Sequence, residues 1–115
     1  MAVKGLGKVT VTSAGARARA TKNQSDPTAR ISCQSVQFQA LPSNTGIVYV
    51  GDSTVVGSTL VGTFAAIPAP ASGTTGAFAS QTFTIVNAPG GINLADFYLD
   101  VSVSGEGVLI SYTEQ

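Results

Sequence analysis

From Leu94 to Ser104 apolar side chains recur at every second position: Phe97, Leu99, Val101 and Val103 fall on one side, and Asp96, Tyr98, Asp100, Ser102 and Ser104 on the other. Period two belongs to extended chain, because successive side chains of a strand point to opposite faces. A helix would scatter these same groups around its axis. Nowhere between residues 31 and 115 does an apolar stripe at i, i+3, i+4 and i+7 persist for three turns, so little helix is predicted. Gly105-Glu106-Gly107 has turn chemistry, and Val108 to Thr113 reads as the return strand of a C-terminal hairpin.

The same pattern repeats upstream. Val36, Phe38 and Ala40 alternate with Gln37 and Gln39, a strand with an unusual glutamine face. Pro42, Ser43, Asn44 and Gly46 interrupt it, and Ile47 to Val50 resumes an extended run, so a second hairpin is predicted over Val36 to Gly51. Ile31, Cys33 and Ser35 alternate in a phase that slips before Val36, as a β-bulge produces. Thr54 to Ala66 offers one or two short strands. Ile67 to Ala71 reads as extended loop because its two prolines lack ladder donors, and Ser72 to Gly76 as a turn. Gln81 to Asn87 forms a strand with Phe83 and Ile85 on one face, ended by Pro89-Gly90-Gly91. About seven or eight strands at spacings near ten residues describe an all-β chain, an antiparallel β-sandwich of two sheets. A body of this size buries a real but marginal core, and oligomerisation would supply further burial.

Charge divides the chain differently. All six cations, Lys4, Lys8, Arg17, Arg19, Lys22 and Arg30, precede Ile31 and are opposed there only by Asp26, a net of +5. The remainder has no Lys or Arg but carries Asp52, Asp96, Asp100, Glu106 and Glu114, a net of −5. We therefore divide the 115 residues into a basic, extended N-terminal arm (1–30) and an acidic β-sandwich domain (31–115). Lys8 to Thr12 could instead be the first strand of the sandwich. The arm could dock on an acidic partner or on a neighbouring copy. Nucleic acid is not expected, because the arm has no aromatic residue to stack on bases and its six cations make a modest phosphate footprint. Only 10% of the residues are charged, which points to a surface covered by neighbours.

Absences constrain the chemistry. Without histidine the commonest general base and metal ligand are missing, and a Ser-His-Asp triad cannot be assembled. One cysteine, Cys33, allows neither an intrachain disulfide nor a thiolate zinc site, and reads as a small core residue. Asp96 and Asp100 lie about 13 Å apart along one strand, too far for a carboxylate pair. Asp52 reads as a turn stabiliser and Glu106 as the tip of a turn. No enzyme activity, cofactor or metal is expected. Met1 to Lys8 lacks a secretory apolar core and no apolar run is long enough for a membrane helix, so synthesis in a reducing cytoplasm, with no membrane partner, is expected. Tyr98 and Tyr112 are predicted to face away from the apolar side, where tyrosine suits an interface.

Two stretches resemble a known group. Cys33-Gln-Ser-Val-Gln-Phe-Gln-Ala-Leu-Pro-Ser-Asn-Thr-Gly46, with Ile47-Val-Tyr-Val-Gly-Asp-Ser53, is similar to small virion proteins of tailed bacteriophages, and so is Asn93 to Tyr112. The resemblance spans most of 31–115 and excludes the basic segment. It implies a capsid cement or decoration protein with a jelly-roll-like sandwich, a homotrimer on the capsid surface of the virion whose partner is the major capsid protein. On that expectation we assign the basic arm, Lys4, Lys8, Arg17, Arg19, Lys22 and Arg30, to capsid contact, and Tyr98, Asp96, Asp100 and Tyr112 to self-association. A head–tail neck or tail component, and a carbohydrate- or receptor-binding module, are the alternatives.

Overall fold

The computed structural model describes residues 3–69, 82–86 and 90–114. Nine strands occur among them: β1 (Val3–Thr10), β2 (Ala18–Arg19), β3 (Ser32–Ala40), β4 (Val48–Val56), β5 (Val61–Ile67), β6 (Thr82–Ile85), β7 (Ile92–Asn93), β8 (Tyr98–Val101) and β9 (Gly107–Glu114). A short 3-10 turn, Leu94–Asp96, precedes β8. One sheet has the order β1-β9-β3-β6, with the two-residue β7 also paired to β3, and the other has the order β2-β8-β4-β5. Every pairing is antiparallel. The fold is an all-β sandwich, as the alternation predicted.

Setting aside β7, the pairs are nested in sequence: β4 with β5, β3 with β6, β2 with β8, and β1 with β9. One long antiparallel hairpin rolled into two sheets has this connectivity, which is the jelly roll. Both predicted hairpins are corrected by it. β8 and β9 lie in different sheets, as do β3 and β4, so the turns at 102–106 and 41–47 carry the chain across the sandwich. Turn residues reverse the chain direction but do not specify which strand becomes the partner. The hairpin that does form, β4 to β5, pairs Val56 with Val61 around residues 57–60.

The inner faces close on one core. Val9, Val36, Phe38, Ala40, Val108 and Ile110 of the first sheet meet Val48, Val50, Ile67, Leu99 and Val101 of the second. Phe38 is central: its ring lies 5.4 Å from Phe97 and 6.2 Å from Phe83, and Phe97 meets Phe64 edge-on at 6.0 Å. Such pairs add about 0.5–1.5 kcal/mol each beyond the area they bury. Cys33 is fully buried, as expected. The phase slip before Val36 is a register shift between Cys33 and Ser35 against β9.

Three placements differ from expectation. The N-terminal segment is not an arm beside the sandwich: β1 pairs with β9, β2 pairs with β8, and Val9, Val11, Ala20 and Thr21 are buried. Alternating Val9 and Val11 have too much apolar area to remain in water, and the edges of both sheets accept the strands. The strand predicted through Ser104 ends at Val101, and Val103 is 40% exposed in the following turn. Asp100 is buried, although it lies on the outward face of β8. The predicted turn at Ser72–Gly76, and Gln81 and Asn87–Pro89 at the margins of β6, lie outside the described residues.

Gly107 opens β9 where no side chain fits. A Cβ there would stand 2.0 Å from the carbonyl oxygen of Val9 and 2.7 Å from the Cα of Thr10, both backbone atoms that can yield only by moving β1. Gly107→Ala should therefore lower stability by about 1–3 kcal/mol, the usual cost of overpacking. Urea unfolding followed by circular dichroism should show this as a lower midpoint with an unchanged slope.

Candidate interaction surfaces

Polar side chains secure the end of the sandwich where the chain changes sheets. The half-buried Glu106 accepts hydrogen bonds from the Thr45 amide (2.6 Å) and hydroxyl (3.0 Å) and from the Gly46 amide (2.8 Å). Buried Asn44 donates to the Gly107 carbonyl at 2.8 Å, and the Ser102 hydroxyl accepts the Ile47 amide at 2.8 Å. Asp100 accepts the amides of Gly15 (2.8 Å), Gly57 (2.9 Å) and Val101 (2.8 Å), so two loops fold over it and exclude water. Burial opposes ionisation of Glu106, but the amides of Gly46 and Thr45 and the Thr45 hydroxyl outweigh it and hold the carboxyl below its ordinary value. Glu106 thus acts as a clamp between two crossovers, beyond its expected role at a turn tip. Asp52 accepts the Thr54 amide at 2.8 Å and the Thr54 hydroxyl, the local role expected of it.

The cations of residues 4–30 are dispersed, and several are committed within the chain. Lys4 pairs with Glu114 at 2.6 Å across β1 and β9. Arg19 donates to the Ala95 carbonyl at 2.7 Å and lies over the Tyr98 ring, 4.9 Å from its centroid. Lys22 donates to the Thr10 carbonyl, and Arg30 to the Ser32 hydroxyl at 2.9 Å. Arg17 is exposed and its charge reaches Asp52. Lys8 is exposed on β1. The basic segment therefore neutralises part of its own acidic body.

The residues expected at a self-association surface do not form one patch. Asp96 is exposed, Asp100 is buried under its loops, Tyr98 carries Arg19, and Tyr112 lies half-buried against the core. Asp100 is corrected outright, because its oxygens are occupied by backbone amides and cannot reach a neighbour. Tyr112 follows Val108 and Ile110 in phase and so faces inward rather than away from the core.

Two other surfaces are nearly free of charge and carry exposed apolar side chains. On the outer face of the β1-β9-β3-β6 sheet, register places Val3, Thr113 and Ser35 in one row, Gly5, Ser111, Gln37 and Thr84 in the next, and Lys8, Leu109, Gln39 and Thr82 in a third. Lys8 is the one charged side chain in these rows. Val3 (77% exposed), Val86 (62%) and Leu109 (45%) stand out from it, and Val3 and Val86 border a shallow groove of about 270 Å³. The glutamine face read from the sequence lies here. The second surface is the β4–β5 turn and the edge strand β5, where Leu60, Val61 and Phe64 are each more than half exposed. Leu60 has φ of +62°, a left-handed conformation that costs a branched L-residue about 1–2 kcal/mol. The sequence signal for this patch is the run Leu60-Val61 directly after a turn, where polar residues are usual.

Among the described residues, no group of three His, Cys, Asp or Glu side chains gathers to hold a metal ion. Comparison with protein-family models, with curated proteins and with solved structures gives no match.

Two outcomes test the polar framework. Asp100→Asn puts an amide donor among three backbone donors and should cost about 1–3 kcal/mol, read as a lower thermal midpoint. For Glu106, a carboxyl value depressed by folding contributes stability that is complete above the unfolded value and is lost as pH falls through the folded one. Glu106→Gln should accordingly flatten the fall of stability below about pH 4.3, the ordinary glutamate value. Denaturant midpoints measured across the acid range should converge for the two proteins at the lowest pH.

Proposed function

We propose that this chain is a structural virion protein of a tailed bacteriophage, a cement or decoration protein that binds the major capsid protein on the capsid surface. The observation that carries this reading is the exposed apolar patch of Leu60, Val61 and Phe64 on the β4–β5 turn and the β5 edge. Exposed apolar patches of this kind mark protein contact areas. The resemblance of residues 33–53 and 93–112 to small virion proteins supports the phage assignment, and the jelly roll supports it by analogy of fold.

Capsid contact falls to the β4–β5 turn and the β5 edge in this reading. Arg17, exposed and close enough for its charge to reach Asp52 of β4, is the basic side chain best placed to assist, because Lys4, Arg19, Lys22 and Arg30 already serve partners within the chain. Backbone strain is often kept where a side chain must be presented, and Leu60 is both strained and 59% exposed. The tyrosines weigh against a glycan-binding platform. Tyr49 is packed so closely against Gly57 that a Cβ on Gly57 would come within 2.1 Å of its ring, Tyr98 lies beneath Arg19, and Tyr112 packs on the core. Each of the three rings is thus covered on one side by its own chain, and they do not line up as a stacking platform.

Leu60→Asn separates fold from function. Asparagine tolerates the left-handed conformation, so the variant should be about 0.5–1 kcal/mol more stable than the parent. It should nevertheless lose at least about tenfold in occupancy on empty capsids of the same phage, about 1.4 kcal/mol of binding. Co-sedimentation measures this; undiminished occupancy, or a parent chain indifferent to capsids, would overturn the reading.

A further inference from the structure

We infer that the outer face of the β1-β9-β3-β6 sheet is a self-association surface that packs against the same face of a second copy about a two-fold axis. The inference does not depend on the capsid reading, which assigns the opposite sheet's edge to the capsid. Its basis is the chemistry of the three rows. In an isologous contact each group near the axis meets its own symmetry mate, so a charged face would set like charges against each other. This face avoids that conflict. Its centre is Gln37 and Ser111, flanked by Thr84 and Gly5, and its one cation, Lys8, lies in an outer row on the edge strand.

Amide and hydroxyl groups both donate and accept hydrogen bonds, so a surface composed of them is complementary to itself. The short side chains of Ser35, Ser111, Thr113 and Thr84 permit close approach of two sheets, which pack about 10 Å apart. Val3, Val86 and Leu109 project around this polar centre and supply apolar area. The hydrogen bonds of the inner strands β9 and β3 are already made on both sides, so the contact would be face to face rather than edge to edge.

The size of the face sets the strength. Four strands about 4.8 Å apart and three rows about 6.8 Å apart give a footprint of about 400 Å² for each copy. Specific interfaces of standard size bury about 800 Å² per partner, so this one falls among the weak, reversible contacts. A weak dimer that forms as concentration rises is expected, with two-fold symmetry in place of the three-fold arrangement implied by the family resemblance.

Sedimentation equilibrium and native mass spectrometry of the full chain over a range of micromolar concentrations provide the test. The parent should pass from monomer to dimer as concentration rises. Gln37→Lys should weaken the dimer at least about tenfold while leaving the unfolding midpoint nearly unchanged, because position 37 faces outward. Mixing Gln37→Lys with Gln37→Glu should restore association as a heterodimer, which a merely structural effect of either substitution would not do. A parent that stays monomeric throughout, or a Gln37→Lys variant that dimerises as the parent does, would overturn the inference. So would a monomeric parent whose capsid occupancy is abolished by Gln37→Lys, because the face would then belong to a different protein.

Discussion

Everything in this fold depends on how the chain crosses from one sheet to the other. A strand finds partners for its amides and carbonyls in its neighbours, but a crossover has no ladder, and its polar backbone groups must be satisfied in another way. At the end formed by residues 41–47 and 102–106, the chain makes two such crossings side by side. Glu106, Asn44 and Ser102 each bond the other crossing or the strand start beside it, and Val11 adds backbone bonds to Gly105 and Glu106. The nested pairing is thus held by a few side chains whose geometry is set at the corners. The valines of the core, by contrast, would accept several alternative pairings, because burial is indifferent to strand order.

The separation of charge along the sequence has its main consequence inside the molecule. Strands β1 and β2 belong to the N-terminal segment, and their antiparallel partners β9 and β8 belong to the C-terminal one. Nesting therefore brings the basic start of the chain against its acidic end. Lys4 meets Glu114, and Arg19 reaches a carbonyl beside Asp96. Exposed ion pairs of this type contribute little energy, but they disfavour the wrong register, in which like charges would face each other.

Local features of the fold were legible in the sequence and the non-local ones were not. Period two identified Phe38, Val36 and Ala40 as inward and Gln37 and Gln39 as outward, and the slip at Ser35 was readable as a bulge, because both follow from the alternation of a single strand. The two expected hairpins failed because the sheet to which a strand belongs is decided by residues far away in sequence. Asp100 was misread for the same reason. Alternation placed it on the outer face, and only the return of Gly15 and Gly57, 85 and 43 residues away, covers it. The apolar patch at Leu60 escaped notice because a short apolar run after a turn looks the same whether it enters a core or leaves it.

The scarcity of charge bears on the two faces unequally. On the first sheet it is concentrated at the centre of a flat, regular surface where donors and acceptors balance. On the second sheet the outer face carries Arg19 over Tyr98, and Asp100 is closed off by loops, so this face is already occupied by the chain itself. The edge at β5 is exposed there and irregular, because its register shifts twice against β4 and because Leu60 and Gly62 both adopt left-handed conformations. A regular neutral face suits a partner with the same repeat, and an irregular apolar edge suits one of different shape. The difference between the surfaces supports the two proposals made for them, a second copy on the regular face and a protein of another kind at the strained edge.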